Sequence, residues 1–395
     1  MLSRTSLLAA LALVLSTLMP SGPASAATWQ VPDGATITVA GHGYGHGHGL
    51  SQYGAQRAAT KGLGYRRIAR FYYPGTRWGK IGGQVRVLIS ADTSRDVVVA
   101  SRSGLVVRPV KAGKPTRLAQ ARPRAKRWRI VPVAGGRSAV DYQTSGRWRR
   151  LRTVRGDAEF TAGGKPIRLV FAGSSRAYRG VLRSASSGRG LDRDTVNVLP
   201  LDSYLKGVVP REVPSYWHPQ ALRAQAVAAR TYAAYERKHS RRGHYQLCDT
   251  DQCQVYGGAT DEQRATSKAI DATRRQVLTK GGGPIFAQFS ASSGGWTSRG
   301  AFAYLPAKKD PYDAFAGNDY HDWTVRVTDA KIEQAWPGVG ELTSIETSER
   351  DGNGEWGGRV GKVTLRGTTG IVVVSGDDFR FRMGLYSTWF TLRVG

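Results

Sequence analysis

The chain has 395 residues, of which 40% are hydrophobic and 22% are charged, a composition that predicts a folded protein with an ample core and excludes a largely disordered chain. Its 58 Lys plus Arg against 29 Asp plus Glu give a formal net charge of +29, which excludes an electrostatically neutral surface. That charge predicts attraction to polyanions without saying whether the partner is nucleic acid, anionic lipid or an acidic polymer.

An export signal is the first predicted element, over residues 1–26. Arg4 precedes an apolar run at residues 7–19, and Ala24-Ser25-Ala26 has the small-x-small pattern of a cleavage site. The run is shorter than the roughly 20 residues that span a bilayer, and no later segment is long and apolar enough. We therefore expect a secreted protein of the extracellular space or cell wall, with no transmembrane segment after cleavage and no nucleic-acid partner.

The next predicted segment, residues 27–83, is dominated by glycine and histidine over residues 41–55. Glycines at this spacing allow the backbone to approach a ligand closely. Residues 55–73 have apolar side chains at near-helical spacing, and Pro74-Gly75 ends the run, which predicts a short helix and a turn.

A basic β-rich module is predicted over residues 84–199, where short apolar runs alternate with Gly, Ser and Arg. Within it, residues 95–194 hold 24 Lys plus Arg against 6 Asp plus Glu. The excess charge forms either an ordinary solvated face or a polyanion-binding face.

Residues 200–395 complete the prediction of an α+β fold. A helix is expected over residues 219–239, which begin with proline and are rich in alanine. A capping box of Thr260 and Gln263 predicts a second helix that reaches about Leu278. Strands are expected at residues 285–289, 362–365 and 370–374.

Two side chains of this part could carry chemistry. Glu212 lies between Pro210 and Pro214, just ahead of the alanine-rich helix, so its direction is constrained by proline on both sides. It is either a capping or ion-paired glutamate or a catalytic one. Arg230 lies among small residues of the helix. This context favours an arginine that is paired inside the fold or points into a cleft, and it disfavours an ordinary surface arginine.

His244, Cys248 and Cys253 form a further candidate cluster. Their spacing suits a zinc site completed by one more ligand. In an exported protein the two cysteines could equally form a disulfide. Both alternatives stay open at this point.

Several long motifs occupy residues 197–212, 224–232, 248–258, 291–297 and 379–390. Together these motifs resemble the SpoIID/LytB family of bacterial cell-wall proteins. Residues 46–55 and 72–76 match an element that usually follows these motifs in the family, so the resemblance implies a circular permutation. Ser290 stands where relatives often have histidine, so no histidine role is expected there.

The resemblance implies an α+β catalytic core that acts on peptidoglycan, with Glu212 as the catalytic glutamate and Arg230 as the arginine beside it. It also implies a substrate cleft, whose expected residues are His46, His48, Ser51, Gln52, Tyr53, Gln254, Tyr256, Ser292, Ser293, Gly294 and Gly295.

The expected reaction is lytic transglycosylation of glycan strands, which needs one carboxyl group as acid and then base. Asp249 and Asp251 are the candidates for the second carboxylate that a hydrolase would ordinarily show. The alternative is a non-catalytic amidase enhancer or wall-binding module. Expected partners are glycan strands, anionic wall polymers and, for an enhancer, a wall amidase. No cofactor is required, apart from structural zinc if the cysteines bind it.

Overall fold

The computed structural model describes residues 26–111, 113–188 and 190–395, so the predicted export signal up to Ser25 lies outside the described residues. Helices and antiparallel or mixed strands occur together, which confirms the α+β class. Among the described residues, none of the helices is long and apolar enough to cross a membrane.

The described chain forms two compact units. One unit comprises residues 40–324, and the other combines the residues before 40 with residues 325–395. These boundaries differ from the segments expected at 27–83, 84–199 and 200–395.

Two antiparallel-rich sheets build the β-rich part of the unit 40–324. The seven-stranded sheet has the order Leu247–Cys248, Gln84–Leu88, Arg193–Pro200, Val181–Ser186, Ala158–Thr161, Val106–Pro109 and Thr116–Arg117. The six-stranded sheet has the order Arg147–Arg155, Arg137–Thr144, Arg127–Val133, Val97–Ala100, Ile167–Phe171 and Ser174–Tyr178. Alternate side chains of both sheets, among them Val99, Trp128 and Phe160, belong to one hydrophobic core.

Shorter strands complete this unit. A three-stranded sheet has the order Gly283–Pro284, Gln276–Lys280 and Arg77–Lys80. Two two-stranded sheets pair Leu50–Ser51 with Phe289–Ser290 and Trp296–Thr297 with Lys308–Lys309.

The α-helices of the described residues are named here in chain order. They are α1 (Gln52–Thr60), α2 (Tyr65–Tyr72), α3 (Leu118–Ala121), α4 (Leu201–Glu212), α5 (Pro219–His239), α6 (Arg264–Ala272), α7 (Asp329–Ala335) and α8 (Gly376–Met383). Short 3₁₀ turns occur at Gly258–Asp261, Pro337–Val339 and Glu355–Gly357.

Helix α5 is the central helix of the unit 40–324 and confirms the helix expected over residues 219–239. Pro219 occupies its first turn, where the missing N–H costs nothing, and His218 caps it by accepting from the Gln220 N–H at 3.2 Å. Its alanines are buried against α1, α2, α4 and α6. Small side chains allow this close packing, because they let neighbouring helix backbones approach.

Two helix predictions need correction. The single helix expected over residues 55–73 is two helices, α1 and α2, because Gly62 adopts a positive φ of 88° between them. The helix expected to reach Leu278 ends at Ala272, and Gln276–Lys280 is a strand instead. Pairing with Arg77–Lys80 buries Val277 and Leu278 in the sheet, which outweighs the local helical pattern. The expected strand 285–289 is reduced to Phe289–Ser290.

The second unit is built mainly from the C-terminal residues. Its four-stranded sheet has the order Ala27–Gln30, Leu342–Ser348, Lys362–Gly367 and Ile371–Ser375. A three-stranded sheet has the order Asp322–Thr328, Thr36–His42 and Phe390–Val394. The stacked rings of Trp336, Phe379 and Phe390 pack within this unit.

Candidate functional site

The end of helix α4 places Glu212 in a cavity of about 600 Å³ within the unit 40–324. Val213 is extended because Pro214 follows it, so the helix ends at Glu212. The sequence pattern placed this residue ahead of a helix N-terminus, and the structure places it at the C-terminal end of its own helix, with Pro210 inside that helix. The cavity is lined by Tyr44, Gly45, His46, Gln52, Arg211, Glu212, Tyr232, Asp251, Cys253, Gln254, Val255, Phe286, Gln288, Phe289, Ser290 and Ala291.

Gln52 is the direct partner of Glu212, although 160 positions separate them in the chain. Ser51 caps helix α1 by accepting from the Gly54 N–H at 3.0 Å, and this cap fixes the start of the helix that carries Gln52. The nearly buried Gln52 side chain donates a hydrogen bond to the Glu212 carboxylate. The structure thus brings the Gly/His segment and the α4 glutamate to one cavity.

Burial raises the pKa of Glu212 from its ordinary 4.5 to about 7, and the hydrogen bond from Gln52 acts in the opposite, lowering direction. Desolvation is the larger effect because it penalises the charged carboxylate. A carboxyl group with this pKa is partly protonated at neutral pH and partly ionised. It can therefore both donate and accept a proton, which is the property that general acid–base catalysis needs.

Tyr232 and Gln254 are two further polar side chains of the cavity. Burial raises the pKa of Tyr232 to about 12, with smaller contributions from charges that include Glu212, so its hydroxyl remains a hydrogen-bond donor at neutral pH. The Gln254 side chain accepts a 3.4 Å hydrogen bond from the buried Tyr204 hydroxyl. Tyr232 was not among the predicted site residues, although it ends the motif 224–232 that contains Arg230.

Arg230 does not line this cavity, which corrects its expected place beside the catalytic glutamate. The guanidinium is fully buried, and its Nε lies 2.7 Å from Asp202 Oδ1. The remaining donors bind the carbonyl oxygens of Ala226, Ile270 and Gln276 and the Thr273 hydroxyl. Arg230 therefore fastens α5 to the C-terminal end of α6, where a cation is favourable.

Four of the predicted cleft residues do not line the cavity but stabilise the segment that forms its wall. Ser51 and Ser292 donate to the Asp313 carboxylate at 2.6 and 2.7 Å, and the Gly294 N–H also donates to it at 2.9 Å. Ser293 donates to Asp310 at 3.0 Å. Burial alone would raise the pKa of Asp313, but the pKa is lowered because the hydrogen bonds with His321, Ser51, Ser292 and the Ser293 N–H outweigh burial. Asp310 and Asp313, which the sequence did not single out, thus fix the segment 290–294 in place.

Close backbone contact explains the glycines of this region. Gly43 and Gly294 both have positive φ, at 75° and 71°, and a Cβ atom on Gly294 would lie 2.7 Å from the Gly43 backbone nitrogen. Only glycine allows this approach without a shift of the backbone. Gly295, also predicted for the cleft, has a φ of 99° and does not line the cavity.

The two predicted histidines stack on one another, with ring centroids 4.9 Å apart. His46 lines the cavity, and its Nδ1 accepts from the His48 N–H at 2.9 Å. His48 is not a lining residue, and its ring lies 3.2 Å from the Ser298 carbonyl. His46 therefore reaches the cavity, and His48 supports it.

Tyr53 and Tyr256 are placed away from the cavity lining. Tyr53 packs edge-on against Trp217 and Tyr320, at centroid distances of 5.0 and 5.7 Å. Tyr256 is a core residue, and its hydroxyl donates to Asn197 at 2.8 Å. Both were expected to bind substrate, and both instead support neighbouring elements.

Cys248 and Cys253 form a disulfide, so the structure takes that alternative and not the zinc site. Their sulfurs are bonded to each other and are not available as thiolate ligands. The third expected ligand, His244, lies 2.5 Å from Asp194 through Nε2. The disulfide closes the loop 248–253, which carries Asp251 into the cavity, and the lining residues Gln254 and Val255 follow the loop directly.

The two candidate second carboxylates have different environments. Asp249 is buried and accepts hydrogen bonds from the Ser90 hydroxyl and N–H, at 2.6 and 3.1 Å. Asp251 is exposed and lines the cavity. Asp251 is therefore the carboxylate to compare with Glu212.

Residues 190–279 match the family model of SpoIID, described as stage II sporulation protein. The chain contains a SpoIID domain. This domain supplies α4, α5, α6 and the disulfide loop, and with them Glu212, Tyr232 and Gln254. Gln52, His46 and residues 288–291 of the cavity lie outside the matched SpoIID domain.

Curated relatives of the chain include proteins with two kinds of functional name. An amidase enhancer of Bacillus subtilis (strain 168) is 36% identical over 135 residues, which is 33% of this chain and 17% of the relative. Stage II sporulation protein D of the same strain is 29% identical over 225 residues, which is 50% of this chain and 61% of the relative. Stage II sporulation protein D of Bacillus amyloliquefaciens is 31% identical over 141 residues, 30% of this chain and 41% of the relative. The chain thus spans less than two thirds of the length of each.

Proposed function

We propose that the protein acts on the bacterial cell wall and cleaves the glycan strands of peptidoglycan, with Glu212 as the acid and the base of the reaction. The observation that carries the proposal is a glutamate with a pKa of about 7, held by Gln52 in a cavity of about 600 Å³. The family of the SpoIID domain and the names of its relatives support a role connected with the wall.

The reaction needs two proton transfers, and one carboxyl group can perform both. Protonated Glu212 donates its proton to the glycosidic oxygen as the bond to the anomeric carbon breaks. The resulting carboxylate then removes the proton of the muramyl 6-hydroxyl, whose oxygen attacks the same anomeric carbon. A 1,6-anhydro ring forms, no water is consumed, and Glu212 is protonated again.

The surrounding side chains suit this sequence of steps. Gln52 donates to the carboxylate form and orients it, while burial favours the acid form, so the two states of Glu212 remain close in free energy. Tyr232 and His46 offer polar groups to the sugar along the cavity wall. The exposed Asp251 is solvated and is not required for a reaction that uses no water.

Amide variants of the two cavity carboxylates test the proposal. Purified glycan strands, both bare and carrying stem peptides, are incubated with wild type, Glu212→Gln and Asp251→Asn, and the products are analysed by mass spectrometry. We expect 1,6-anhydro ends with the wild type and Asp251→Asn, and a loss of at least about 100-fold with Glu212→Gln. Reducing ends that depend on Asp251 would indicate hydrolysis, and full activity of Glu212→Gln would refute the assignment of Glu212.

An amidase enhancer is the second candidate, favoured by the name of the 36% identical relative. It predicts that the protein leaves glycan strands intact but accelerates stem-peptide release by an added wall amidase. The two functions separate when the Glu212→Gln variant is added to such an amidase, because enhancement would persist without the acid–base group.

A further inference from the structure

We propose that the outer face of the six-stranded sheet is a second binding site, which takes an extended acidic glycan, a sugar polymer that carries carboxylate or phosphate groups. A groove of about 870 Å³ crosses this face within the unit 40–324. It is larger than the cavity at Glu212, and none of its lining residues is shared with that cavity.

Strand register creates the groove. In the register of the sheet, Trp148 lies opposite Gln143, Gln143 opposite Arg127, and Arg127 opposite Ala100. The pairing of Leu169 with Val99 then places Arg168 beside Ala100. These five side chains form one row on the outer face, called here the groove row. Neighbouring strands are about 4.8 Å apart, so the row extends over roughly 19 Å.

Small side chains form the floor of the groove. Ala100 and Val98 lie in the middle strand, between longer side chains on either side. Trp128 and Val99 point the other way and are buried in the core, so the outer face is solvated. The result is an open channel with Arg127 and Trp148 on one side and Arg168 on the other.

The charges of the two outer rows differ. In the row next to the groove row, Arg129 and Arg150 share the carboxylate of Asp141, which lies 3.1 and 2.7 Å from their Nε atoms. Arg129 also lies 3.5 Å from Asp96. The groove row itself has no carboxylate between Trp148 and Arg168. Asp96 also lines the groove, but it is paired with Arg129 of the neighbouring row, and exposed Lys126 adds a further cation beside Arg127. The groove row therefore attracts anions, whereas its neighbour does not.

The chemistry of the row fits a charged sugar chain. Trp148 is partly exposed and flat, and the Arg129 guanidinium stacks on it at 4.5 Å from the ring centroid, which fixes its orientation. A fixed aromatic face suits a sugar ring, the Gln143 amide suits hydroxyl groups, and arginines spaced by about 10 Å suit repeated anionic groups. An acidic glycan offers all three features along one chain.

Direct titration of the full chain tests this site. The probes are an oligogalacturonate, a hexose-phosphate polymer, a neutral chitin hexamer and an oligothymidylate. The binding variant is Arg127→Gln/Arg168→Gln, and the matched control is Arg117→Gln/Lys165→Gln, which removes two exposed cations of the same module outside the groove. All four positions are exposed, so folding should be preserved, and thermal melting checks this.

We expect saturable binding of at least one acidic glycan, and the acidic glycan that binds more tightly identifies carboxylate or phosphate as the anionic group. The affinity for that glycan should fall about tenfold or more in the binding variant, while in the control variant it should stay within about threefold of the wild type. Trp148→Ala should weaken the glycans, and the chitin hexamer should bind weakly throughout. Equal weakening by both double variants, tighter binding of oligothymidylate, or no saturable binding would overturn the proposal. Because Glu212→Gln leaves the groove intact, its glycan affinity should equal that of the wild type whether or not Glu212 cleaves glycan.

Discussion

Glu212 has an energetic cost for the fold as well as a chemical use. In the folded protein its pKa is raised to about 7, above its ordinary 4.5. Below pH 4.5 the group is protonated in both the folded and the unfolded state, and there is no penalty. As pH rises through this interval, the unfolded state ionises first, so the free energy of unfolding decreases and levels off above pH 7. The full penalty is about 3 kcal/mol.

Glu212→Gln should therefore be more stable than the wild type at pH 8 and equally stable at pH 4. The amide has the size of the carboxyl group but carries no charge to desolvate. Urea unfolding at both pH values measures the difference, and Asp251→Asn is the control, since it changes an exposed carboxylate of the same cavity. A stability difference that does not depend on pH would contradict the raised pKa.

The same pKa predicts the pH dependence of glycan cleavage. The first step needs protonated Glu212, so kcat/KM should be constant on the acidic side and fall tenfold per pH unit above about pH 7. Initial rates on bare glycan strands between pH 5 and 9 measure this profile. An inflection near the ordinary pKa of a glutamate would mean that burial does not control the reactive group.

Arg230 should behave as a structural residue. Arg230→Ala leaves Asp202 and several buried carbonyl oxygens without their partner, and loss of one side of such a pair costs about 3–5 kcal/mol. Arg230→Lys should also destabilise, because one ammonium group cannot replace the planar guanidinium. Cleavage rates normalised to the folded fraction from circular dichroism should stay near the wild-type value. A large fall in the normalised rate with an unchanged melting temperature would instead indicate a role in the reaction.

For individual residues, the sequence predicted the chemistry of a side chain better than the direction in which it points. The Gly/His segment contains Gln52, and the proline-flanked glutamate is Glu212, so both central groups could be found from motifs. Arg230 and Tyr232 lie two positions apart on one helix, and only packing decides that the arginine faces the core while the tyrosine faces the cavity. Asp310 and Asp313 lie in no motif, because their role depends on partners that are distant in the chain.

The loop closed by Cys248 and Cys253 forms part of the cavity wall. Of the lining residues, Asp251 belongs to this loop, and Gln254 and Val255 follow it directly. Closing so short a loop removes limited entropy from the unfolded chain, worth about 2 kcal/mol. The disulfide should consequently affect the shape of the cavity wall as well as global stability.

Cys248→Ser/Cys253→Ser should lower the free energy of unfolding by about 2 kcal/mol and raise KM more than it lowers kcat, because Glu212 and Gln52 lie outside the loop. Denaturant unfolding and steady-state kinetics measure the two effects. A reductant should reproduce them in the wild type and have no effect on the double variant. An unchanged KM would show that the loop does not contact substrate.

Element boundaries show where local patterns fail. Helix α5 is predictable because Pro219, the alanine content and the length all favour a helix. The segment after α6 is not, because Val277 and Leu278 fit either a helix or a strand, and only the partner strand Arg77–Lys80 decides. The α+β class follows from the alternation of apolar patterns, whereas the two-unit division depends on contacts between the start and the end of the chain.

Over the whole molecule, the positive charge predicts that retention on bare anionic wall polymer weakens steeply with salt. Exposed charges are screened beyond about 8 Å at physiological ionic strength, so long-range attraction is lost first. Cosedimentation with wall polymer between 20 mM and 1 M salt measures the effect, roughly spanning Debye lengths of 20 to 3 Å. Retention that does not change with salt would assign binding to uncharged glycan contacts.

The position of Asp313 has a consequence for how the protein acquires its structure in time. The carboxylate accepts a hydrogen bond from Ser51, which is 262 residues away in the sequence. The Gly43 N–H donates to the His321 carbonyl oxygen across a similar sequence separation. Contacts between such remote positions form slowly, because the entropy of closing the intervening loop is lost before they stabilise the chain. The wall beside Glu212 thus closes only after the chain has been synthesised through residue 321. A nascent or truncated chain that ends earlier would hold Gln52 and Glu212 without the scaffold that keeps them together.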